Sequence, residues 1–319
     1  MRYTRREIGK LALAALPAAA LGRHPVAVLG QSKPNSVVNG VNIGTITYSY
    51  RSMPDQRAEA ILRYVVDSGI SQIEFMGTPV EAFAGAPQAP RGGFGGRGAP
   101  TPDQQAAQRE AAMKLRAWRT SVSMDRFKAL RTMFNEAGVS IYAWKQLAPD
   151  MSDGEMEYVF NVAEALGNTH VTLELTDDVG QLRRLGQFAE KKKIYVAYHT
   201  HLQGSITAFD RAFAVSKANM ANVDLGHYVA AGGDPLAFLN RFHDRIASFH
   251  LKDRTTPANG QKNLRWGTGD TPLVPILKAV QKNRWRMPAT IELEYDVPSG
   301  SDAVREVVKC LEFCKRALA

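Results

Sequence analysis

Side chains that can bind a metal ion occur in three short segments in the C-terminal third of the chain. Asp224 closes one apolar run, His250 lies in a second, and Glu292 and Glu294 alternate with apolar residues in a third. Carboxylate oxygens and imidazole nitrogens are ligands for hard or borderline divalent cations. The pattern predicts three successive strands that bring these ligands to one end of a sheet, and it favours an enzyme.

Two earlier runs carry side chains of the same kinds. Glu174 ends one run, and His199 and His201 lie two residues apart in the next. Because alternate residues of a strand face the same side, His199 and His201 point the same way, as do His250 and Lys252. Each residue alone is as readily a hydrogen-bonded or ion-paired structural side chain. Their coincidence at one predicted sheet end favours a site at the mouth of a barrel.

The elements that must position these side chains alternate regularly along the chain. Eight β-like runs are centred on Ile43, Ile73, Ile141, Leu173, Val196, Val223, Phe249 and Ile291. Amphipathic patterns predict helices over 58–66, 127–136, 154–166, 272–281 and 302–318, with Ser123 and Asp270 as candidate caps. Strand followed by helix, repeated eight times, predicts an α/β fold, a single (β/α)8 TIM barrel over residues 33–319. A doubly wound open sheet is the alternative.

The N-terminal residues follow the order of an export signal. Arg5 and Arg6 precede the apolar, Ala-rich run 11–21, as in twin-arginine signals. We expect a signal peptide and linker over residues 1–32 and an exported, periplasmic protein, with a cytosolic N-terminal extension as the alternative. The apolar run is too short for a membrane anchor.

The net charge of +9 is concentrated in two segments. Residues 1–33 carry six basic side chains and one acidic, and residues 85–120 carry six basic and two acidic, which accounts for the whole excess. The remaining body is near neutral, so nucleic-acid binding is not expected. Residues 85–120 are predicted to be a Gly/Arg-rich loop insertion, either a disordered surface loop or a lid over the mouth.

Several motifs resemble the xylose-isomerase-like TIM-barrel superfamily, which includes the sugar phosphate isomerases and epimerases. They are Asp224-Leu225-Gly226-His227, Ala231-Gly232-Gly233-Asp234-Pro235, Phe249-His250-Leu251-Lys252-Asp253, Gly267-Thr268-Gly269-Asp270 and Ile291-Glu292-Leu293-Glu294. The resemblance extends over nearly all of residues 33–319. It implies that Asp224, His250 and a glutamate of the eighth strand, Glu294 or Glu292, bind the metal. Glu294 is preferred to Glu292 because it lies nearer the strand end.

The chain departs from the usual epimerases at the fifth strand, where His199 replaces an expected metal-binding glutamate. The segment Tyr198-His199-Thr200-His201, together with Glu174, is similar to an exported subgroup of sugar isomerases. Some relatives there act on 3-keto glycosides by elimination or hydration. The implied metal ligands are Glu174, His199, Asp224, His250 and Glu294, which would hold Mn, Co, Mg or Zn.

The resemblance implies a divalent-metal-dependent sugar isomerase or epimerase that acts on a keto sugar through an enediolate. The alternatives are a 3-keto-glycoside lyase or hydratase that uses the same proton abstraction, and a catalytically inactive periplasmic sugar-binding protein. The candidate catalytic residues are His227, His201 and Lys252. Trp144 is a candidate for stacking on the sugar, with a core tryptophan as the equal alternative. The expected partner is a small-molecule sugar, without nucleic acid or a membrane anchor. Both a monomer and a homo-oligomer remain open.

Overall fold

The structure is a computed structural model that describes residues 33–87, 101–148 and 150–319. The predicted signal peptide and linker over residues 1–32 lie outside the described residues. Lys33–Ala319 forms one compact unit. Among the described helices, none combines the length and the apolar character needed to cross a membrane.

Eight parallel strands form a closed barrel. The described residues contain these eight and three short strands besides, numbered in chain order as β1 (Val37–Val38), β2 (Val41–Ile46), β3 (Gln72–Met76), β4 (Ser140–Lys145), β5 (His170–Glu174), β6 (Tyr195–His199), β7 (Asn219–Asp224), β8 (Ile246–Leu251), β9 (Asp253–Arg254), β10 (Asn263–Leu264) and β11 (Ala289–Ile291). The barrel runs in the order β2 to β8, then β11, and pairing of β11 with β2 closes it. β1 pairs antiparallel with β2, and β9 with β10. The predicted (β/α)8 barrel is confirmed, and all eight predicted strand centres lie in barrel strands.

Helices connect successive barrel strands. The described helices are α1 (Ala58–Asp67), α2 (Gly77–Ala84), α3 (Pro102–Arg119), α4 (Asp125–Glu136), α5 (Asp153–Leu166), α6 (Val179–Lys192), α7 (Asp210–Val215), α8 (Leu225–Ala230), α9 (Pro235–Phe242), α10 (Leu273–Asn283) and α11 (Ala303–Leu318). The five helices predicted from periodicity are all present, with boundaries within two residues of the prediction.

Helix α5 shows how the local sequence sets these boundaries. The Ser152 hydroxyl accepts the Glu155 N–H, and the Glu155 side chain accepts the Ser152 N–H in return, which forms a capping box. The helix ends at Gly167, whose φ of 76° favours glycine. Met156 and Val159 are fully buried on the face that packs toward the barrel. Capping and amphipathic burial together fix this helix beneath the strand ends.

Two predicted helix caps are wrong. Helix α4 begins after Met124 without a side-chain cap, although the Ser123 hydroxyl accepts the N–H of Asp125. Asp270 does not cap α10, because its carboxylate accepts hydrogen bonds from Thr256 instead. Ser123 still satisfies the N–H of the first residue of α4, from one position before the assigned cap, whereas Asp270 satisfies the N–H of Thr256 in a loop.

The predicted loop insertion over residues 85–120 is not a loop throughout, since Pro102–Arg119 forms helix α3. A capping box between Thr101 and Gln104 begins this helix. The sequence prediction overlooked it because it relied on the Gly- and Arg-rich composition of the segment. Residues 102–110 are exposed, and the helix is held at its C-terminal end. There the Arg119 guanidinium lies 2.8 Å from Glu81 and 3.3 Å from Glu155, and the side chains of all three residues are mostly buried.

Replacing Arg119 by Ala is expected to destabilise the fold by roughly 2–3 kcal/mol, because it leaves the buried Glu81 carboxylate without its cation. The matched control is Arg116→Ala in the same helix. Arg116 is largely exposed and lies 3.4 Å from Glu155, so its loss should cost less than about 0.5 kcal/mol. Urea denaturation measures both changes. Equal losses in the two variants would contradict the anchoring role of Arg119.

Candidate metal centre and active site

A buried group of ionisable side chains lies at the C-terminal end of the barrel. It contains His199 at the end of β6, Asp224 at the end of β7, His250 in β8 and Glu292 directly after β11. One potential ligand atom from each residue lies within 4.8 Å of those of the others. We call these four residues the central cluster. Parallel strands bring them together because all their C-terminal ends meet at one face of the barrel.

His250 is held between two carboxylates. Its Nδ1 lies 2.9 Å from Oε2 of Glu292 and 3.9 Å from Oδ2 of Asp224, and its Nε2 lies 2.9 Å from Oε2 of Glu74. Burial alone would lower the pKa of His250, but Glu292 and Glu74 raise it to about 10. Burial likewise opposes ionisation of Glu74, yet His250 lowers the pKa of Glu74 to about 2. Nδ1 therefore faces the central cluster, while Nε2 is tied to β3.

His199 presents a free nitrogen lone pair. Its Nδ1 lies 2.9 Å from Oδ1 of Asn222, and an amide oxygen can only accept, so Nδ1 carries the proton. The amide nitrogen of Asn222 donates to Glu74 and to Ser248, which fixes the orientation of that amide. Burial, with the nearby charge of His250, lowers the pKa of His199 to about 3. His199 is thus a neutral imidazole whose Nε2 is available as a ligand.

The Lys252 ammonium lies among three carboxylates. Its Nζ is 2.9 Å from Oδ2 of Asp224, 2.8 Å from Oε2 of Glu292 and 2.6 Å from Oε2 of Glu294. Burial alone would lower the pKa of Lys252, but these carboxylates raise it above its usual value. Burial and the repulsion from Glu292 raise the pKa of Asp224 to about 6, against the opposing effect of Lys252. The site is therefore both densely charged and almost closed to water.

The donor set fits a divalent cation. Two imidazoles and two carboxylates suit borderline ions of the Mn, Co and Zn type. Among the described residues, Oδ2 of Asp224 is buried and accepts no well-oriented hydrogen bond, although the Lys252 ammonium lies close to it. A buried oxygen in this state is rare in proteins and points to a ligand. The central cluster is therefore a candidate metal centre.

A second group, Glu174, His199 and His201, adjoins the central cluster and shares His199 with it. The Glu174 carboxylate lies 2.7 Å from Nζ of Lys145 and 3.0 Å from Nδ1 of His201. Since a carboxylate accepts, Nδ1 of His201 donates and its Nε2 stays free. The hydrogen bond to Glu174 raises the pKa of His201. Glu174 is half exposed, so it lies at the rim rather than among the buried ligands.

His227 faces the same mouth from the start of α8. Its ring centroid is 4.9 Å from that of His201, and its Nε2 is 3.8 Å from the Glu294 carboxylate. The Arg254 guanidinium, which can only donate, contacts Nδ1 of His227, so the neutral ring carries its proton on Nε2. Burial and the charges of Lys252 and Arg254 lower the pKa of His227 to about 2.

Two of the sequence motifs contact each other and hold Arg254 in place. The Asp253 carboxylate accepts the backbone N–H groups of Gly267, Thr268, Gly269 and Thr271. These four bonds fix the loop after β10 against the strand pair that carries Arg254. The motif around His250 and the motif around Gly267 thus form one structural unit beside the site.

The predicted metal ligands do not all lie together in the structure. His199, Asp224 and His250 meet in the central cluster, while Glu174 lies beside it. Glu292, not the preferred Glu294, contacts His250, and Glu294 pairs with Lys252. Glu294 was preferred as the residue nearer the strand end, but β11 ends at Ile291, so Glu292 directly follows the strand and Glu294 lies beyond it. His201, His227 and Lys252 all line the mouth as expected.

Trp144 is not placed to stack on a sugar at the mouth. It is fully buried, and its ring packs edge to face against Tyr158 of α5 with the centroids 6.3 Å apart. The cause is an irregularity in register between β3 and β4. Ile73 pairs with Ile141 but Glu74 pairs with Ala143, so the alternation of β4 shifts by one residue and Trp144 turns outward.

Three functional candidates were missed by the sequence reasoning: Glu74, Lys145 and Arg254. Glu74 is a lone acidic residue in the apolar run of β3, and its buried position below His250 is the feature that marks it. Lys145 ends β4, and Arg254 follows the motif of His250. Glu174 was identified because it ends β5, whereas Glu74 lies in the middle of β3 and carried no such signal.

Comparison with known proteins agrees with this architecture. The family model described as xylose isomerase-like TIM barrel matches residues 155–314. The inosose dehydratase of Clostridium botulinum (strain Eklund 17B / Type B) is 27% identical over 154 residues, covering 42% of this chain and 51% of that protein. The inosose dehydratase of Lacticaseibacillus casei is 30% identical over 152 residues, covering 41% and 51%. The chain thus spans about half the length of the curated relatives it matches.

A solved structure extends the likeness to most of the chain. The 3-keto-D-glucoside 4-epimerase of E. coli aligns with a TM-score of 0.58 at 11% identity, covering 86% of this chain and 100% of that chain. This likeness shows the shared fold. The family match spans half of the sequence and includes Asp224, His250 and Glu292. The chain therefore belongs to the xylose isomerase-like TIM barrel family.

Proposed function

We propose that the protein is a divalent-metal-dependent enzyme that removes the proton next to the carbonyl group of a keto sugar or a related keto polyol. The observation that carries this proposal is the central cluster, with two further histidines beside it. The rings of His199 and His201 lie 5.1 Å apart, and those of His201 and His227 lie 4.9 Å apart. A cation site and two proton-transfer groups would therefore meet one small substrate.

His201 is the proposed base. Its Nδ1 donates to Glu174, so its Nε2 can accept a proton from the substrate, and the carboxylate fixes the ring as in other carboxylate-oriented bases. The same hydrogen bond raises the pKa of His201, which makes it a stronger base. A divalent cation at the central cluster would supply Lewis-acid polarisation of the neighbouring carbonyl.

His227 and Lys252 are the proposed donors. His227 remains neutral near pH 7 and carries its proton on Nε2, on the side that faces Glu294. Lys252 carries an ammonium that can donate to a substrate oxygen. We assign His201 as the base and His227 as a donor because of the hydrogen bonds that their rings already make. Nδ1 of His201 donates to Glu174, whereas Nδ1 of His227 accepts from Arg254.

Two outcomes share this first step. Return of the proton to another atom or face would make the enzyme an isomerase or epimerase. Loss of the β-hydroxyl as water, assisted by a donor such as His227, would make it a dehydratase. The inosose dehydratase names of the curated relatives favour the second outcome as a candidate. We also propose that the protein is exported, on the basis of the twin-arginine pattern in residues 1–32.

Metal analysis and a deuterium-exchange assay test the proposed function together. The purified protein is expected to hold about one divalent cation per chain and to promote exchange of the proton next to the carbonyl when keto sugars, 3-keto glycosides and inosose are supplied in D2O. Loss of water from a substrate would identify a dehydratase. Sugar binding without exchange, after the cation is restored, would instead support an inactive sugar-binding protein.

A further inference from the structure

We infer that Lys252 is a built-in counter-cation of the metal centre: its ammonium neutralises the cluster carboxylates, competes with the metal ion for them, and is released toward the substrate when the ion binds. This inference rests on the proposed metal dependence and adds a residue that limits metal affinity. It assigns Lys252 a role in the cation-free protein as well as in the reaction.

The contacts of Lys252 are those of a bound cation. Its Nζ reaches one oxygen each of Asp224, Glu292 and Glu294 at 2.6–2.9 Å. Two of these oxygens belong to the central cluster, where Oδ2 of Asp224 accepts no well-oriented hydrogen bond from the described residues. The lysine side chain is 3% exposed, so water does not screen the ammonium from these carboxylates.

The position of Lys252 is fixed by backbone contacts that bring it close to Asp224. Gly226 lies so near the strand end that a Cβ there would come within 2.3 Å of Cγ of Lys252 and 2.7 Å of its carbonyl oxygen. Helix α8 therefore packs directly on the lysine stem. This packing directs the Lys252 side chain toward the carboxylates, so its ammonium does not extend into solvent.

Competition follows from the shared atoms. A divalent ion held by Asp224 and Glu292 would use oxygens that the ammonium already contacts, and the two cations would repel each other inside a nearly dry site. Displacing Lys252 from the two cluster carboxylates therefore costs free energy, which lowers the affinity for the metal ion. Glu294 is outside the central cluster, and it can keep the lysine near the mouth after displacement, where the ammonium can meet a substrate oxygen.

The test compares the affinity for Co²⁺ of the wild-type protein with that of Lys252→Met, by competition with a chromophoric chelator after stripping with EDTA. We expect roughly tenfold or tighter Co²⁺ binding in the variant, because the competing charge is gone. The cation-free variant should also melt at a lower temperature than wild type, and Co²⁺ should raise its Tm by more than it raises that of wild type. Lys252→Gln provides a second neutral variant if Lys252→Met does not fold.

The matched control is Lys145→Met, another lysine at the mouth, which pairs with Glu174 instead of the cluster carboxylates. Its Co²⁺ affinity should change by less than about threefold. Wild-type protein that binds Co²⁺ no more weakly than both neutral variants would overturn the inference while leaving the metal centre intact. Failure of wild type and variants alike to bind Co²⁺, Mn²⁺ or Zn²⁺ would overturn the metal centre and the inference with it.

Discussion

Replacing Asp224 by Asn is expected to abolish metal binding and to lower kcat/KM by about 10³-fold or more, while the fold is kept. The loss of a carboxylate ligand removes several kcal/mol of transition-state stabilisation, and each 1.36 kcal/mol corresponds to a factor of ten. Oδ1 of Asp224 also caps α8 by accepting the N–H of His227 at 2.7 Å. Asn is an equally good cap, so this substitution changes the charge and spares the helix.

The matched control is Asp234→Asn. Asp234 caps α9 in the same way, by accepting the N–H groups of Leu236 and Ala237, and it lies outside the central cluster. Its substitution should leave metal content and turnover unchanged. Full turnover in Asp224→Asn, measured with the substrate found in the exchange assay, would rule out the central cluster as the active site.

Replacing Glu74 by Ala is expected to lower the free energy of unfolding by about 3–5 kcal/mol, the largest stability effect at the site. The fully buried carboxylate accepts hydrogen bonds from Thr172 at 2.8 Å and from Asn222 at 3.2 Å, and it pairs with His250. Its removal leaves three polar groups without their partner and His250 with one carboxylate fewer. Urea denaturation of the cation-free protein measures the loss.

A milder change separates stability from orientation of the ligand. Glu74→Gln keeps the shape and an acceptor for Nε2 of His250, but it removes the charge. We expect roughly 10- to 100-fold weaker metal binding, as for other carboxylates that orient metal-binding histidines. Thr172→Val is the control, because it removes one of the two remaining hydrogen bonds to Glu74 and leaves the contact of Glu74 with His250 in place. Equal metal affinities in wild type and Glu74→Gln would show that Glu74 serves only the fold.

The fold was predictable because its signals are local and repeated. Apolar runs of strand length placed all eight barrel strands, most of them separated by amphipathic segments, and right-handed crossovers leave a parallel barrel as the simple solution. The caps were harder. Ser123 misses the assigned cap position by one residue, although its hydroxyl accepts the N–H of Asp125. Asp270 has the right side chain for capping, but it accepts the N–H of Thr256, which the local sequence before α10 does not reveal.

The strands that carry site residues could be predicted, but the residue that each strand end contributes could not always be. His199, Asp224 and His250 meet because strand register brings them together, which alternation captures. The preference for Glu294 assumed a longer strand than β11, which ends at Ile291, and Trp144 lies after the register shift between β3 and β4. A single inserted residue in a strand reverses which face a side chain occupies, and no sequence pattern marked it.

A buried hydrogen-bond network in and around the candidate metal centre restricts which substitutions this site can accept. Glu74, Asn222, Ser248, His199 and His250 hydrogen-bond to one another inside the barrel. A change at one of these positions leaves a neighbour buried and unsatisfied, so substitutions there must be concerted. The rim residues, such as Lys145 at the end of β4 and His201 after β6, do not belong to this buried network. New substrate preferences can therefore evolve by substitutions at the rim while the buried hydrogen-bond network is kept.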